Sequence, residues 1–168
     1  METSVRNIVL SHLNAIKDGI VLRMEQMGRN ASGSTVRSMV VNATDSGGTL
    51  DGSKNFMYLE HGRGPGKVPK GFYEIIKDWV VAKGISYQDM IPKNGTPEQG
   101  VARLSGAIAH SIIMKGTRLY RDKEYNDIYS SLIEQEVELL SKDAAGIFET
   151  EVEKLQEIEI DNARNNRI

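Results

Sequence analysis

The chain has 168 residues, 39% of them hydrophobic and 26% charged, with a formal net charge of -2. That length fits one domain able to bury about two-thirds of its unfolded surface. The charge balance excludes bulk attraction to nucleic acid or an anionic membrane, so any electrostatic binding has to be local. Cysteine is absent, which excludes a disulfide framework, a thiol nucleophile and a cysteine metal site, and suits a reducing compartment. No apolar run approaches the roughly 20 residues that span a bilayer. Glu2, Arg6 and Asn7 interrupt the opening stretch, so neither a membrane span nor secretion by a cleaved signal is expected. The sequons at Asn30, Asn42 and Asn94 accordingly read as chance matches.

Val5, Val9, Leu13, Ile16, Ile20, Met24 and Met27 recur three or four apart, which predicts an amphipathic helix over residues 3–27, capped by Thr3 or Ser4 and ended by Gly28. The Asn-, Ser- and Gly-rich residues 29–35 read as a loop. Residues 36–44, with Met39, Val40 and Val41, read as a strand that breaks at Asp45-Ser46-Gly47-Gly48. A second strand is expected at about residues 55–60, through Phe56, Met57 and Tyr58. Residues 49–54 fit either a short additional strand or a hairpin loop. Phe72, Ile75, Ile76, Trp79 and Val80 predict a helix stopped by Gly84, with Trp79 as its core anchor.

Residues 86–100, with Asn94-Gly95 and two prolines, read as a surface loop or a short helical turn. Pro97 suits the first turn of the following helix, which places Val101, Leu104, Ile108, Ile112 and Ile113 on its buried side and offers Gly106, Ala107 and Ala109 for close approach before Gly116 ends it. Residues 117–127 form a charged, tyrosine-containing connector. From Ile128 a long helix carries Ile133, Val137, Leu140, Ala144 and Ile147, then Phe148, Val152, Leu155 and Ile158 one residue out of phase, over a strongly acidic opposite face. Residues 162–168 carry few apolar side chains and are expected to fray unless a partner holds them.

Catalytic chemistry finds little support in these patterns. His12 and His110 each lie inside an amphipathic helix without a second histidine at ligand spacing, so structural roles, no metal and no cofactor are expected. Glu134/Glu138 and Glu149/Glu153 share helical faces, as carboxylates on the exposed side of a long helix commonly do. Glu60 and His61 would form a proton-transfer pair only if the strand that carries them has already broken, because neighbours on a strand point to opposite faces.

The loop at residues 60–71 differs in kind: Gly62, Gly64, Gly66, Pro65 and Pro69 set its backbone, and His61, Arg63, Lys67 and Lys70 project from it. A phosphate cradle would need the P-loop spacing. Here Gly66-Lys67 is followed by Val68, and no glycine lies five residues earlier. Contact with nucleic acid through Arg63, Lys67 and Lys70 is permitted by local charge, although no interleaved aromatic residues offer stacking. The third reading is a surface loop clamped by a partner subunit, with Arg63 and Lys67 meeting an acidic face such as the C-terminal helix.

The order of elements resembles the tail-completion or "putative tail component" family of tailed bacteriophages, related to the neck proteins that join head and tail. Gly33-Ser34-Thr35-Val36-Arg37-Ser38-Met39 approximates the family's T-G-x-L-R-x-S-like entry to the first strand. Tyr58-Leu59-Glu60-His61-Gly62-Arg63-Gly64-Pro65 is similar to its aromatic segment ending in an acidic residue and a Gly-rich turn. The Trp79 helix closing in Lys83-Gly84-Ile85, and Ala107-Ile108-Ala109 leading to Lys115-Gly116-Thr117, extend the likeness across residues 3–121. Two features depart from it: Arg118-Leu119-Tyr120-Arg121-Asp122 stands where the family carries a proline-aromatic segment, and the acidic helix after Ile128 is an extension.

The expected fold class is α+β: a small antiparallel sheet packed by a long N-terminal helix and two shorter helices, plus a long C-terminal helix. Residues 1–127 would form the α+β domain and residues 128–168 an acidic helical extension, within the same compact unit or as an arm. The resemblance implies a non-enzymatic virion protein, made in the host cytoplasm, that forms a homo-oligomeric ring in the neck beside portal, neck or tail proteins and has possible transient contact with channel DNA. The expected subunit or DNA contacts are Glu60, His61, Arg63, Lys67, Lys70, Arg118 and Arg121.

Overall fold

In the computed structural model, which describes residues 4–165, the first apolar stripe folds as helix α1, Val5–Gln26. Val9, Ile16, Ile20 and Met24 are its buried positions. Its end follows from backbone chemistry: Gly28 takes φ 61°, which lets Arg29 N–H reach the Met24 carbonyl at 2.7 Å and Gly28 N–H reach that of Glu25 at 2.9 Å. This is a Schellman closure of the kind a glycine just past the last turn permits. Of the two expected caps, Thr3 lies outside the described residues, and Ser4 Oγ accepts from Asn7 N–H at 3.3 Å, as an N-cap does.

The whole chain is mixed helix and sheet, α+β as expected, and divides into two compact units. One holds the described residues up to Val21, residues 39–51 and the described residues from Tyr129. Its sheet is an antiparallel hairpin, β1 Val40–Thr44 and β2 Gly47–Asp51, paired from Val40 opposite Asp51 to Thr44 opposite Gly47 across a turn at Asp45 and Ser46. Val41, Ala43 and Leu50 are half-buried while Asn42, Thr49 and Asp51 are exposed, the alternation of a sheet covered on one side. Gly48 fits beneath α1 because it lacks a side chain: a Cβ there would come within 2.7 Å of Val9 Cγ1 and of the Asn42 carbonyl oxygen.

The third element of this unit is the long helix, labelled α6 below, Ser130–Asn165. Leu132 packs over Gly19 of α1, whose absent Cβ would lie 3.0 Å from Leu132 Cδ1. Leu140, Ala144 and Ile147 are half-buried, whereas every described side chain from Phe148 to Asn162 is exposed. The helix therefore continues past residue 162, where fraying was expected, and residues 166–168 lie outside the described set.

The second unit contains residues 22–38 and 52–128. It includes the single helical turn α2, Ser34–Arg37, then α3, Phe72–Ala82, α4, Pro97–Lys115, and the short α5, Arg118–Arg121. Helices α3 and α4 pack on each other through Ile76, Val80, Val101 and Ala109, joined at the edge by Phe72, Ile85, Tyr87, Leu104, Ile108 and Ile112. Small Ser105 and Ala109 occupy the buried line of α4. Ala107 is exposed, and Gly106 faces the Tyr73 ring. The start of α4 is fixed by a capping box in which Thr96 and Gln99 exchange side-chain and backbone hydrogen bonds, with Pro97 in the first turn.

Three local expectations need correction. The strand expected at residues 55–60 is a 3-10 helix, Lys54–Tyr58, leading into a turn; the second strand is Gly47–Asp51, in the segment whose pairing was open. The first strand begins at Val40 because residues 34–37 form a helical turn. Trp79 is 39% exposed and not a core anchor. The apolar surface of α3 extends around most of the helix, and burial selects the phase of Ile76 and Val80 instead. Among the described residues no helix is long and apolar enough to cross a membrane.

Candidate functional site

The Gly-rich loop is tied down along its length rather than projecting as a free surface loop. Gly62 N–H donates to the Tyr58 carbonyl at 3.0 Å, Gly66 N–H to that of Ile113 at 2.9 Å, and Thr117 N–H to that of Arg63 at 2.8 Å. Arg63 N–H returns a bond to Thr117 Oγ1 at 2.9 Å. The loop thus runs against the end of α4 and the start of α5. Gly62 is required there on two counts: its φ is 72°, and a Cβ would lie 2.8 Å from Tyr120 N. Gly64 lies against the Tyr120 ring, where a Cβ would meet Cζ at 3.2 Å.

This docking separates the seven expected contact residues into two groups. Glu60 is fully buried. Its Oε1 accepts from Ile128 N–H at 3.0 Å and its Oε2 from the Tyr125 hydroxyl at 3.4 Å, while its backbone carbonyl accepts from Asn126 N–H at 3.0 Å. As folded it secures the connector before α6 and presents no carboxylate to an outside partner. Arg63 is also engaged within the chain. Its guanidinium carbon lies 5.2 Å from the centre of the Tyr58 ring and 5.7 Å from that of Phe72, and Nη2 donates to the Lys67 carbonyl. Cation–π contact of this kind holds an arginine flat between rings.

The other five, His61, Lys67, Lys70, Arg118 and Arg121, are exposed. The His61 ring centre lies 5.1 Å from that of Tyr125, the planes tilted by 37°, while the Glu60 carboxylate turns inward to Ile128. The turn that breaks the expected strand therefore places their side chains in different surroundings. The loop, the end of α4 and α5 are hydrogen-bonded together, and these joined segments and the residues just after α5 carry the exposed Lys67, Lys70, Lys115, Arg118, Arg121 and Lys123 against the exposed Asp122 and Glu124, with Arg118 Nε 3.1 Å from Asp122 Oδ2. Lys123 lies 4.9 Å from the centre of the Tyr120 ring. Tyr58 and Tyr120 are each 39% exposed and Tyr125 is 50% exposed. Tyr120 and Tyr125 alternate with basic residues in the connector sequence, and the backbone hydrogen bonds bring that connector to the loop, whose own basic residues have no aromatic residue among them. Lys115, Lys123 and the tyrosines were missed because the bonds that join the connector to the loop, such as Arg63 N–H to Thr117, link residues 54 apart in sequence; the available signal was the density of Tyr, Lys and Arg in the connector.

The first unit carries a contrasting surface. From residue 148 the exposed positions of α6 include Phe148, Val152 and Leu155, spaced four and three apart so that they fall on one line of the helix. Around them, over residues 149–161, stand Glu149, Glu151, Glu153, Glu157, Glu159 and Asp161 against the single basic residue Lys154. Closer to the start of α6, His12 Nδ1 lies 2.7 Å from Glu136 Oε2 and Nε2 lies 3.1 Å from Asp143 Oδ2. The hydrogen bond to Glu136 is the main influence raising the His12 pKa above its ordinary 6.5. Both ring nitrogens are engaged, so His12 serves to hold α6 on α1. Glu136 and Asp143 are seven residues apart, hence on one helical face, a spacing that could have marked them.

No family model matches the chain, and no curated protein or solved structure was found to match it.

Proposed function

We propose that the protein is a structural virion component of a tailed bacteriophage, assembling as a ring in the neck or tail-completion region and acting by binding rather than turnover. The motifs quoted above for residues 3–121 motivate the phage reading. The observation that carries the assembly reading is the exposed apolar line Phe148, Val152 and Leu155 on a helix that continues to Asn165. Apolar side chains in series on a solvated helix favour burial against a partner. The acidic surroundings of that line and the basic, tyrosine-bearing face of the second unit give one chain two different surfaces. A ring with cyclic symmetry uses two different surfaces at each subunit contact.

The test is composition of the particle. Phage purified by density gradient should contain the protein in constant, ring-like stoichiometry, and antibody label should fall at the head–tail junction. Its absence from purified particles would remove the reading.

Nucleic-acid binding is the second reading, and the exposed tyrosines among lysines and arginines favour it, since bases stack on aromatic rings while cations meet phosphates. It requires DNA retention that weakens steeply with salt and with Arg118→Glu/Arg121→Glu. No retention at low salt would exclude it.

A further inference from the structure

We propose that the occupant of the exposed α6 line is the basic, tyrosine-bearing face of a second copy of this chain, so that each copy's α6 docks on its neighbour's loop and α5. The inference rests on the assembly reading above and names the two surfaces that meet.

Charge decides among the occupants. Glu149 and Glu151 lie on opposite sides of the Phe148–Val152–Leu155 line at 100° per residue, and Glu159 sits one turn beyond Leu155. Two α6 helices packed line to line would bring like charges together, an arrangement that opposes pairing. The joined segments with Lys67, Lys70, Lys115, Arg118, Arg121 and Lys123, whose excess over Asp122 and Glu124 leaves them net positive, supply the opposite sign, and the exposed Tyr58 and Tyr120 supply apolar surface on them. Both parts of the match are needed. Phe148 to Leu155 covers only about 10 Å of helix, well short of the roughly 800 Å² per partner of a stable interface. Flanking charge pairs and the tyrosine rings must complete it, and the contact should consequently weaken with salt.

The geometry yields a head-to-tail contact, and the test exploits that polarity. Glu149→Lys/Glu151→Lys reverses the two charges that flank the α6 line, and Arg118→Glu/Arg121→Glu reverses two charges on the α5 side of the contact. All four positions are exposed, and unchanged circular dichroism and thermal melting verify the folds. If the second pair perturbs α5, Lys67→Glu/Lys70→Glu replaces it. Sedimentation velocity on the full chain at low salt should show concentration-dependent association of the wild type. It should be weakened about tenfold or more in either variant alone and recovered when the two variants are mixed, because the reversed charges at 149 and 151 then meet the reversed charges at 118 and 121, and the unchanged α6 meets the unchanged α5. Phe148→Ala/Leu155→Ala should also weaken it.

A wild-type chain that stays monomeric, a variant that associates normally, or a mixture that fails to recover would each overturn the pairing. So would a monomer that binds a short DNA duplex through Arg118 and Arg121, since the face would then belong to nucleic acid. These outcomes are separable from failure of the functional reading: a monomer still found in phage particles removes only this pairing, whereas a self-associating chain missing from particles removes only the phage assignment.

Discussion

Glu60 and His12 both sit among titratable neighbours, and burial gives them different work. Glu60 is fully buried with its carboxylate on Ile128 N–H and the Tyr125 hydroxyl. Glu60→Ala would strand that backbone donor, and leaving a buried polar group unpaired costs about 1–3 kcal/mol. A chemical-denaturation midpoint lowered accordingly, with Glu60→Gln less affected, is the expected result; a neutral Glu60→Ala would show that the connector is secured elsewhere. His12, by contrast, has a raised pKa because Glu136 and Asp143 favour its charged form. A raised folded-state pKa means the contribution is complete below the ordinary 6.5 and lost as pH rises through the folded value. Melting temperature should therefore fall across that window in the wild type, and His12→Gln should flatten the His-dependent part of the profile. Arg63 illustrates a third outcome: its charge was legible in the sequence, but its placement between Tyr58 and Phe72 required the loop to be folded first.

Among the elements, the long helices were readable because stripe, first-turn residue and stop signal agree, as at Gly28 and at Pro97, whereas the Thr96–Gln99 capping box came only with the structure. The hairpin was only half readable. Gly47 and Gly48 resemble turn residues by composition, yet the turn is Asp45-Ser46 and Gly48 belongs to β2, where α1 leaves room for no side chain. That requirement comes from packing of distant residues, which local propensity does not contain. Gly48→Ala should consequently destabilise the fold by about 1–3 kcal/mol, the usual cost of overpacking, as read by thermal unfolding; Gly47→Ala meets no atom within 4 Å, although its φ of 149° leaves a smaller backbone cost. The α3 phase failed for a related reason. Apolar residues surround much of that helix, so the sequence allowed Trp79 inward, and only the fit of Ile76 and Val80 against small side chains on α4 settled the orientation.

For the molecule as a whole, the acidic C-terminal helix and the basic loop were both visible as charge patterns, but the candidate surface was not. It joins residues 58–70 to residues 115–125 through backbone hydrogen bonds that no local pattern announces. The same chain then carries a basic, tyrosine-bearing face and an apolar line set in acidic residues, and the account assigns both to assembly. Removal of the gene from the tailed bacteriophage that we propose carries it tests that assignment most directly. Electron microscopy of lysates lacking it should show heads and tails that accumulate unjoined or as incomplete particles, restored by wild-type protein supplied in trans. Complete, infectious particles in its absence would contradict the account.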